Sequence, residues 1–325
     1  MKAARFTAAS LGSASEAERA HIVWLVAATY YRCLQAEELY RIARDLLEER
    51  KLTARQAQVY FDAELRSKLD YNLAQVNVSE AEAALLEAGN HRLAGYAALN
   101  QAMGVEGGES YDMAPVALDM PPPAMLSELM AKALSARPDL KALDDEIHAA
   151  EASFDAVRAE RLPRFAAVAS AGYARFDDDF EGDKQWVAGV GFSVPLFTGF
   201  SLESRIERSR ERILGARAAR RELLQRVRYE VQRTQLELET ARGLARAAER
   251  RAAIAEETLR LASQRYGAQL GSFLDIVEAE LALASSKQAH IGAVYDFKIA
   301  EATLDYVVGS RVLERSVAGS RCVPP

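Results

Sequence analysis

The side chains that could do chemistry are present in this sequence but do not converge. The histidines are His21, His91, His148 and His290. No two of them stand four apart, as a helical metal-ligand pair would. There is no glycine-rich phosphate loop, and no serine sits between glycines in the manner of a nucleophile elbow. The cysteines are Cys33, inside a helical pattern, and Cys322, in the tail. They form neither a disulfide framework nor a metal spacing. His290 falls on a helix seam, where a packed polar residue is the expected role. The acidic residues lie mostly at helix-surface spacing, interleaved with arginine as on a solvated helix face. No catalytic centre, metal or cofactor is expected. The net charge of -6 and the lack of a basic block give no footprint for nucleic acid.

With little chemistry to position, the elements themselves become the subject. The chain has 325 residues, 50% hydrophobic and 27% charged, the composition of a folded protein. Its glycines and prolines cluster, leaving long stretches free for helix. After an N-terminal segment, residues 1–20, a first helical repeat is expected over 21–104, bent near Asp70-Tyr71-Asn72. Residues 105–125 contain Gly107-Gly108 and Pro121-Pro122-Pro123 and read as a linker. Helical pattern resumes at Leu126. Pro138 suits a first helical turn, and Pro163 ends that helix after Leu162. The apolar run 22–28 falls far short of the ~20 residues of a membrane-spanning helix. Lys2 and Arg5 are followed by no apolar segment, so no secretory signal is legible.

The period then changes from helical to two. Trp186, Ala188, Val190, Phe192 and Val194 form one apolar row, with Val187, Gly189, Gly191 and Ser193 between them. Phe165, Ala167, Ala169, Ala171 and Tyr173 form a similar row upstream. Two strands within 164–195, each of roughly 10 residues, have the length that crosses a bilayer at a tilt. The acidic stretch 177–183 would be their turn, and Tyr173 and Trp186 would meet beside it, where an aromatic girdle sits.

Residues 126–310 read as a second repeat, whose long helices are expected over 201–264 and 273–308, before a tail, 311–325. At 1.5 Å per residue the first of these helices would run on the order of 95 Å, a coiled coil or helical tube. Its seam is Val227, Val231, Thr234, Leu238, Ala241, Ala245, Ala248, Ala252, Ala255, Leu259 and Ala262. The spacing alternates four and three, a left-handed supercoil signature. The last helix has a second seam, from Ile276 through Leu283, His290 and Phe297 to Val307. The two repeats echo each other: 78–82 resembles 276–280 at an offset of 198, and 99–104 resembles 304–309 at an offset of 205. The difference of one heptad suggests a length change that preserves the seam. The expected fold is mainly α: long antiparallel coiled-coil helices in two repeats, carrying one transmembrane-type β-hairpin.

Several segments, in order, resemble the TolC-like outer-membrane efflux proteins. Arg137-Pro138-Asp139-Leu140 resembles that family's start of the second-repeat helix, and Leu162-Pro163 its helix-to-strand junction. Val194-Pro195-Leu196-Phe197-Thr198-Gly199 resembles its strand-to-helix return. Arg265-Tyr266 with 274–279 resembles its periplasmic-tip turn. The combination spans 130–309, and the first repeat matches more loosely.

The resemblance implies a homotrimer of α-barrel plus β-barrel protomers in the outer membrane and periplasm of a Gram-negative bacterium. It implies a passive export conduit in a tripartite efflux or type I secretion system, with a periplasmic adaptor, an inner-membrane pump and outer-membrane lipid as partners. Asp275 and Glu278, on one helix face by their i,i+3 spacing, match acidic positions ringing the entrance, and Tyr266 matches a gating tyrosine. Gln269 stands where a glycine is usual, and Gly271 where some relatives carry a basic gating residue. Arg265, Gly267, Leu270, Gly271 and Ser272 would form the adaptor-docking tip. Trp186, Ala188, Val190, Phe192 and Val194 would face lipid. One hairpin per protomer gives a trimer fewer strands than the roughly eight of the smallest membrane barrels. The resemblance implies a signal peptide and a further hairpin ahead of the first helical pair, and both are expected upstream of this chain; true truncation is the alternative. The rival expectation is a soluble or periplasmic coiled-coil scaffold or adaptor, which the hairpin between Pro163 and Pro195 disfavours.

Overall fold

The computed structural model describes residues 1–106, 111–114, 119–122, 124–174 and 183–310. Its elements are α1 (Lys2–Asp62), α2 (Lys68–Met103), α3 (Leu126–Ala136), α4 (Pro138–Ala159), β1 (Arg164–Ala174), β2 (Asp183–Ser193), α5 (Ser201–Gly267) and α6 (Phe273–Val307). The chain is mostly helical with one small antiparallel sheet. No described helix is long and apolar enough to cross a membrane.

Two element boundaries differ from expectation. Helix begins at Lys2, so 1–20 is the first part of α1. Residues 2–20 lack proline and are rich in alanine, which favours helix without any apolar period to reveal it. The break between the first two helices falls at 63–67, not at 70–72. Ser67 caps α2 and Asp70 sits in its first turn, so the polar residues that suggested a bend mark a helix start.

The helices and sheet gather into two compact units. One comprises 1–15 and 138–225, the other 16–137 and 226–325. In the first unit, α4 runs antiparallel to the early part of α5. Arg220 pairs with Asp144, Arg217 with Glu151 at 2.7 Å, and Arg205 with Glu160 at 2.7 Å. These partly exposed pairs contribute at most about 1 kcal/mol each, and they fix the register of the two helices. The sheet is a simple hairpin with Phe165 opposite Phe192, Ala167 opposite Val190, and Ala171 opposite Trp186. Directly opposed residues share a face, so the two expected apolar rows are one surface. Tyr173 stands opposite Lys184, a diagonal neighbour of Trp186. The expected turn, 177–183, lies outside the described residues except for Asp183, which opens β2.

In the second unit the heptad seams are the core. Val227, Val231 and Ala245 of α5 are fully buried, as is Phe297 of α6 within 1%. Every other seam position is buried or half-buried, His290 included. Cys33 is also buried, with Gly95 packed close against it; Cys322 lies outside the described residues. The seams did not reveal three buried charges, Arg242, Lys298 and Glu280. Two of these hold the linker. Lys298 Nζ donates to the Asp119 carbonyl at 3.0 Å, and Arg242 donates to the Pro121 carbonyl. Tyr30 and Tyr96 donate to the carbonyls of Ala114 and Tyr111. These side-chain donors stand in for the ladder partners that a linker lacks.

The repeat is more regular than the sequence match suggested. Ser67 and Ser272 cap equivalent helices, and Glu64 and Gln269 both take positive φ, at 58° and 61°. Gly104 and Gly309 end those helices at φ 69° and 74°. Each of these pairs differs by 205, so the offset of 198 and its one-heptad length change are corrected. A heptad sequence resembles itself when slid by seven, which produced the false alignment.

Candidate functional site

Two sets of expected site residues occupy different units. The strand residues lie in the first, and the tip residues in the second.

On the hairpin, Trp186 is 77% exposed, Val190 83% and Phe192 74%, with Phe165 at 77% beside them. Ala188 is exposed on the same face, and Val194 follows the end of β2, less exposed than the others. The opposite face carries Ala166, Val168, Ser170, Val187, Gly189, Gly191 and Ser193. It is smaller and more polar, although Val168 and Val187 are apolar members of it.

The loops joining α1 to α2 and α5 to α6 are two tips built alike. In the second tip, Gln269 N donates to the Tyr266 carbonyl at 3.0 Å and Leu270 N to the Arg265 carbonyl at 2.8 Å. This turn brings Gly271 so close to Arg265 and Tyr266 that an added Cβ would lie 3.2 Å from the Arg265 Cβ. Ser272 then starts α6 with a complete capping box: its hydroxyl accepts from the Leu274 N–H at 3.1 Å, and Asp275 Oδ2 accepts from the Ser272 N–H at 3.0 Å. Asp275 is thus a capping residue that also remains exposed, as does Glu278 one turn later. Arg265, Gly267 and Ser272 are exposed, and Leu270 and Leu274 point outward, as do Leu65 and Leu69 on the first tip.

Tyr266 is the opposite case, only 6% exposed. It packs in a cluster with Ala54, Ala57, Ala74, Phe273 and Ile276. The rings of Tyr60 and Phe273 lie 6.0 and 5.7 Å away. Burial and the charge of Asp70 raise its phenol pKa, Arg66 opposing. Its hydroxyl has no hydrogen-bond partner among the described residues.

A cation reaches Tyr266 from the other tip. Arg66 places its guanidinium 4.4 Å from the centroid of the Tyr266 ring and donates to the Tyr266 carbonyl at 3.3 Å. Sequence reasoning missed this residue. The signal was available in the repeat, because Arg66 stands 205 residues before Gly271. Among the described residues, no group of histidine, cysteine and acidic side chains could hold a metal.

Long antiparallel helices joined by capped turns, with a bilayer-length hairpin among them, define the α-barrel class of channel proteins. Residues 129–310, more than half of the chain, match the outer membrane efflux protein family, and the chain belongs to it. The resemblance read over 130–309 therefore holds nearly to the residue. Among solved structures, it is similar to a membrane protein from Pseudomonas aeruginosa at 23% identity and TM-score 0.81, covering 95% of this chain and 73% of that one. It is similar to CusC at 18% identity and TM-score 0.83, covering 95% and 73%. It is also similar to the open-state MtrE outer membrane channel of Neisseria gonorrhoeae at 20% identity and TM-score 0.81, covering 96% and 71%. At these identities the likeness to each solved structure is one of fold. No curated protein sequence matches. The family is one of efflux channels rather than enzymes.

Proposed function

We propose that this chain is the protomer of an outer-membrane channel, a passive conduit in a tripartite efflux or type I secretion system. The observation that carries this reading is the hairpin. Its two strands are each 11 residues long, the length of a tilted bilayer crossing. From the Phe165–Phe192 pair to the Ala171–Trp186 pair one face is apolar and open, which in water would be a liability and in lipid is a requirement.

The remaining features fit the same reading. Along α5, Leu236, Leu244 and Ile254 are exposed, and a groove of about 1100 Å³ between α5 and α6 runs past Tyr229, Leu236, Leu244, Ala248 and Ala293. A neighbouring protomer of a homotrimer would cover it. The exposed leucines of the two tips, with Arg265, Gly267, Gly271 and Ser272, would receive a periplasmic adaptor linked to an inner-membrane pump. Arg66 on Tyr266 would hold the tips together in the closed entrance. Asp275 and Glu278 would ring that entrance and attract cations, threefold symmetry gathering the carboxylates.

The test is single-channel recording in planar bilayers of the purified trimer, expressed with the further hairpin expected ahead of this chain. Discrete conductance blocked by multivalent cations is expected, and Asp275→Asn with Glu278→Gln weakens that block. Absence of any conductance contradicts the channel; conductance whose block is unchanged in the double variant removes the entrance ring alone.

A further inference from the structure

The tip half of α6 carries a carboxylate inside a helix interface. Glu280 follows the buried seam residue Ala279 and precedes Leu283, and it is only 6% exposed. Its Oε1 accepts a hydrogen bond from Thr53 Oγ1 of α1 at 3.1 Å. A contact between α1 and α6 joins the first helical hairpin to the second.

We infer that Glu280, Thr53 and Arg50 form a proton-sensitive latch between the two hairpins, one that tightens as the solution becomes more acid. The surroundings give the sign. From α1, Asp45, Glu49 and Arg50 are the charged groups near Glu280; from α6, Lys287; α5 contributes apolar Leu259. Arg50, itself 6% exposed, is already engaged by α2. Its Nη1 donates to the Asn77 carbonyl at 2.9 Å and lies 3.5 Å from Glu80. The buried carboxylate therefore has one neutral hydroxyl donor and a shared cation, against Glu49 of like charge. A buried charge so thinly compensated is costly. Glu280, Asp45, Glu49 and Lys287 border a cavity of about 50 Å³, room for a water to accept a hydrogen bond from the neutral acid.

Burial holds the Glu280 pKa above its ordinary value of 4.5, Glu49 acting in the same direction and Thr53 and Arg50 opposing. The seated form thus binds more protons than the opened one. Its extra stability is fully present below the ordinary value, and it is lost as pH rises through the elevated one. The latch depends on the packing of these helices and not on the channel reading. A scaffold with the same fold would show it equally, so failure of one does not imply failure of the other.

Hydrogen exchange followed by mass spectrometry on the purified full chain tests it, with opening constants corrected for intrinsic exchange, over about pH 8 to about pH 5. For segments 45–57 and 276–287, the wild-type opening constant should fall with acidification by up to about tenfold per pH unit within the titration window. Glu280→Gln, permanently neutral, should be flat. Thr53→Val removes a donor that favours the charged form, so its transition should move to higher pH. An equal slope in wild type and Glu280→Gln overturns the latch, as does a flat wild type. Should the glutamine variant not fold, an unmoved transition in Thr53→Val overturns it instead.

Discussion

The two tips have the same backbone and opposite chemistry. Each reverses the chain through a residue at positive φ near 60° and restarts helix at a serine with an aspartate three residues on. Each exposes two leucines. At matched positions, however, the first tip has Arg66 and Lys68 where the second has Gly271 and Phe273. Phe273 is 3% exposed while Lys68 is in solvent. The first tip thus supplies a cation and the second supplies an aromatic core with Tyr266 at its centre. Repeated backbone provides the scaffold, and divergence between the copies provides the complementarity that lets one tip grip the other.

Three pairs of substitutions would break or sharpen this contrast. The largest difference is expected between Phe273→Ala and Lys68→Ala. The buried ring should cost about 3–5 kcal/mol of stability, whereas the exposed lysine should stay within about 0.5 kcal/mol. Denaturant unfolding of the purified variants reads both, and similar losses would make the tips energetically equivalent. Next is Arg66→Met, which keeps the aliphatic stem and removes the charge over the Tyr266 ring. A loss of about 1–2 kcal/mol is expected, with faster hydrogen exchange at 262–270 and a larger open fraction in bilayer recordings. Introducing the cation on the other copy, as Gly271→Arg, should not rescue it, since a Cβ there is crowded by Arg265 and Tyr266. The smallest contrast concerns the caps. Ser272→Ala removes a complete capping box and should cost about 1 kcal/mol. Ser67→Ala should cost less, because the Asp70 N–H to Ser67 bond is long, at 3.4 Å. Equal costs would show that the two boxes are equally formed.

What could be read in advance follows the physics of periodicity. The α5 and α6 seams and the strand rows were legible because a 3.5-residue or two-residue period is a local property of the chain. The helix at 2–20 was not, because its residues favour helix by composition and carry no apolar stripe. The repeat offset was misread because heptads are self-similar. Arg66 and Glu280 were invisible for a different reason: each acquires its role from a partner some 200 residues away, and nothing in its immediate neighbours records that. Asp275 was legible as an acid on a helix face beside a turn; it stands at the third position of α6, closing the capping box that Ser272 opens.

The central claim is that the hairpin crosses a membrane, and paired arginine substitutions on its two faces test it most directly. Val190 lies on the open apolar face, and Gly191 on the other. An arginine facing lipid near mid-bilayer costs about 2–4 kcal/mol, while a lumen position tolerates it. The protein, exported in a Gram-negative host together with the further hairpin expected ahead of this chain, should fractionate with the outer membrane as a heat-modifiable trimer. Val190→Arg should deplete that fraction far more than Gly191→Arg. Equal trimer yields for the two variants, or a wild-type protein found wholly in the soluble fraction, would contradict the account.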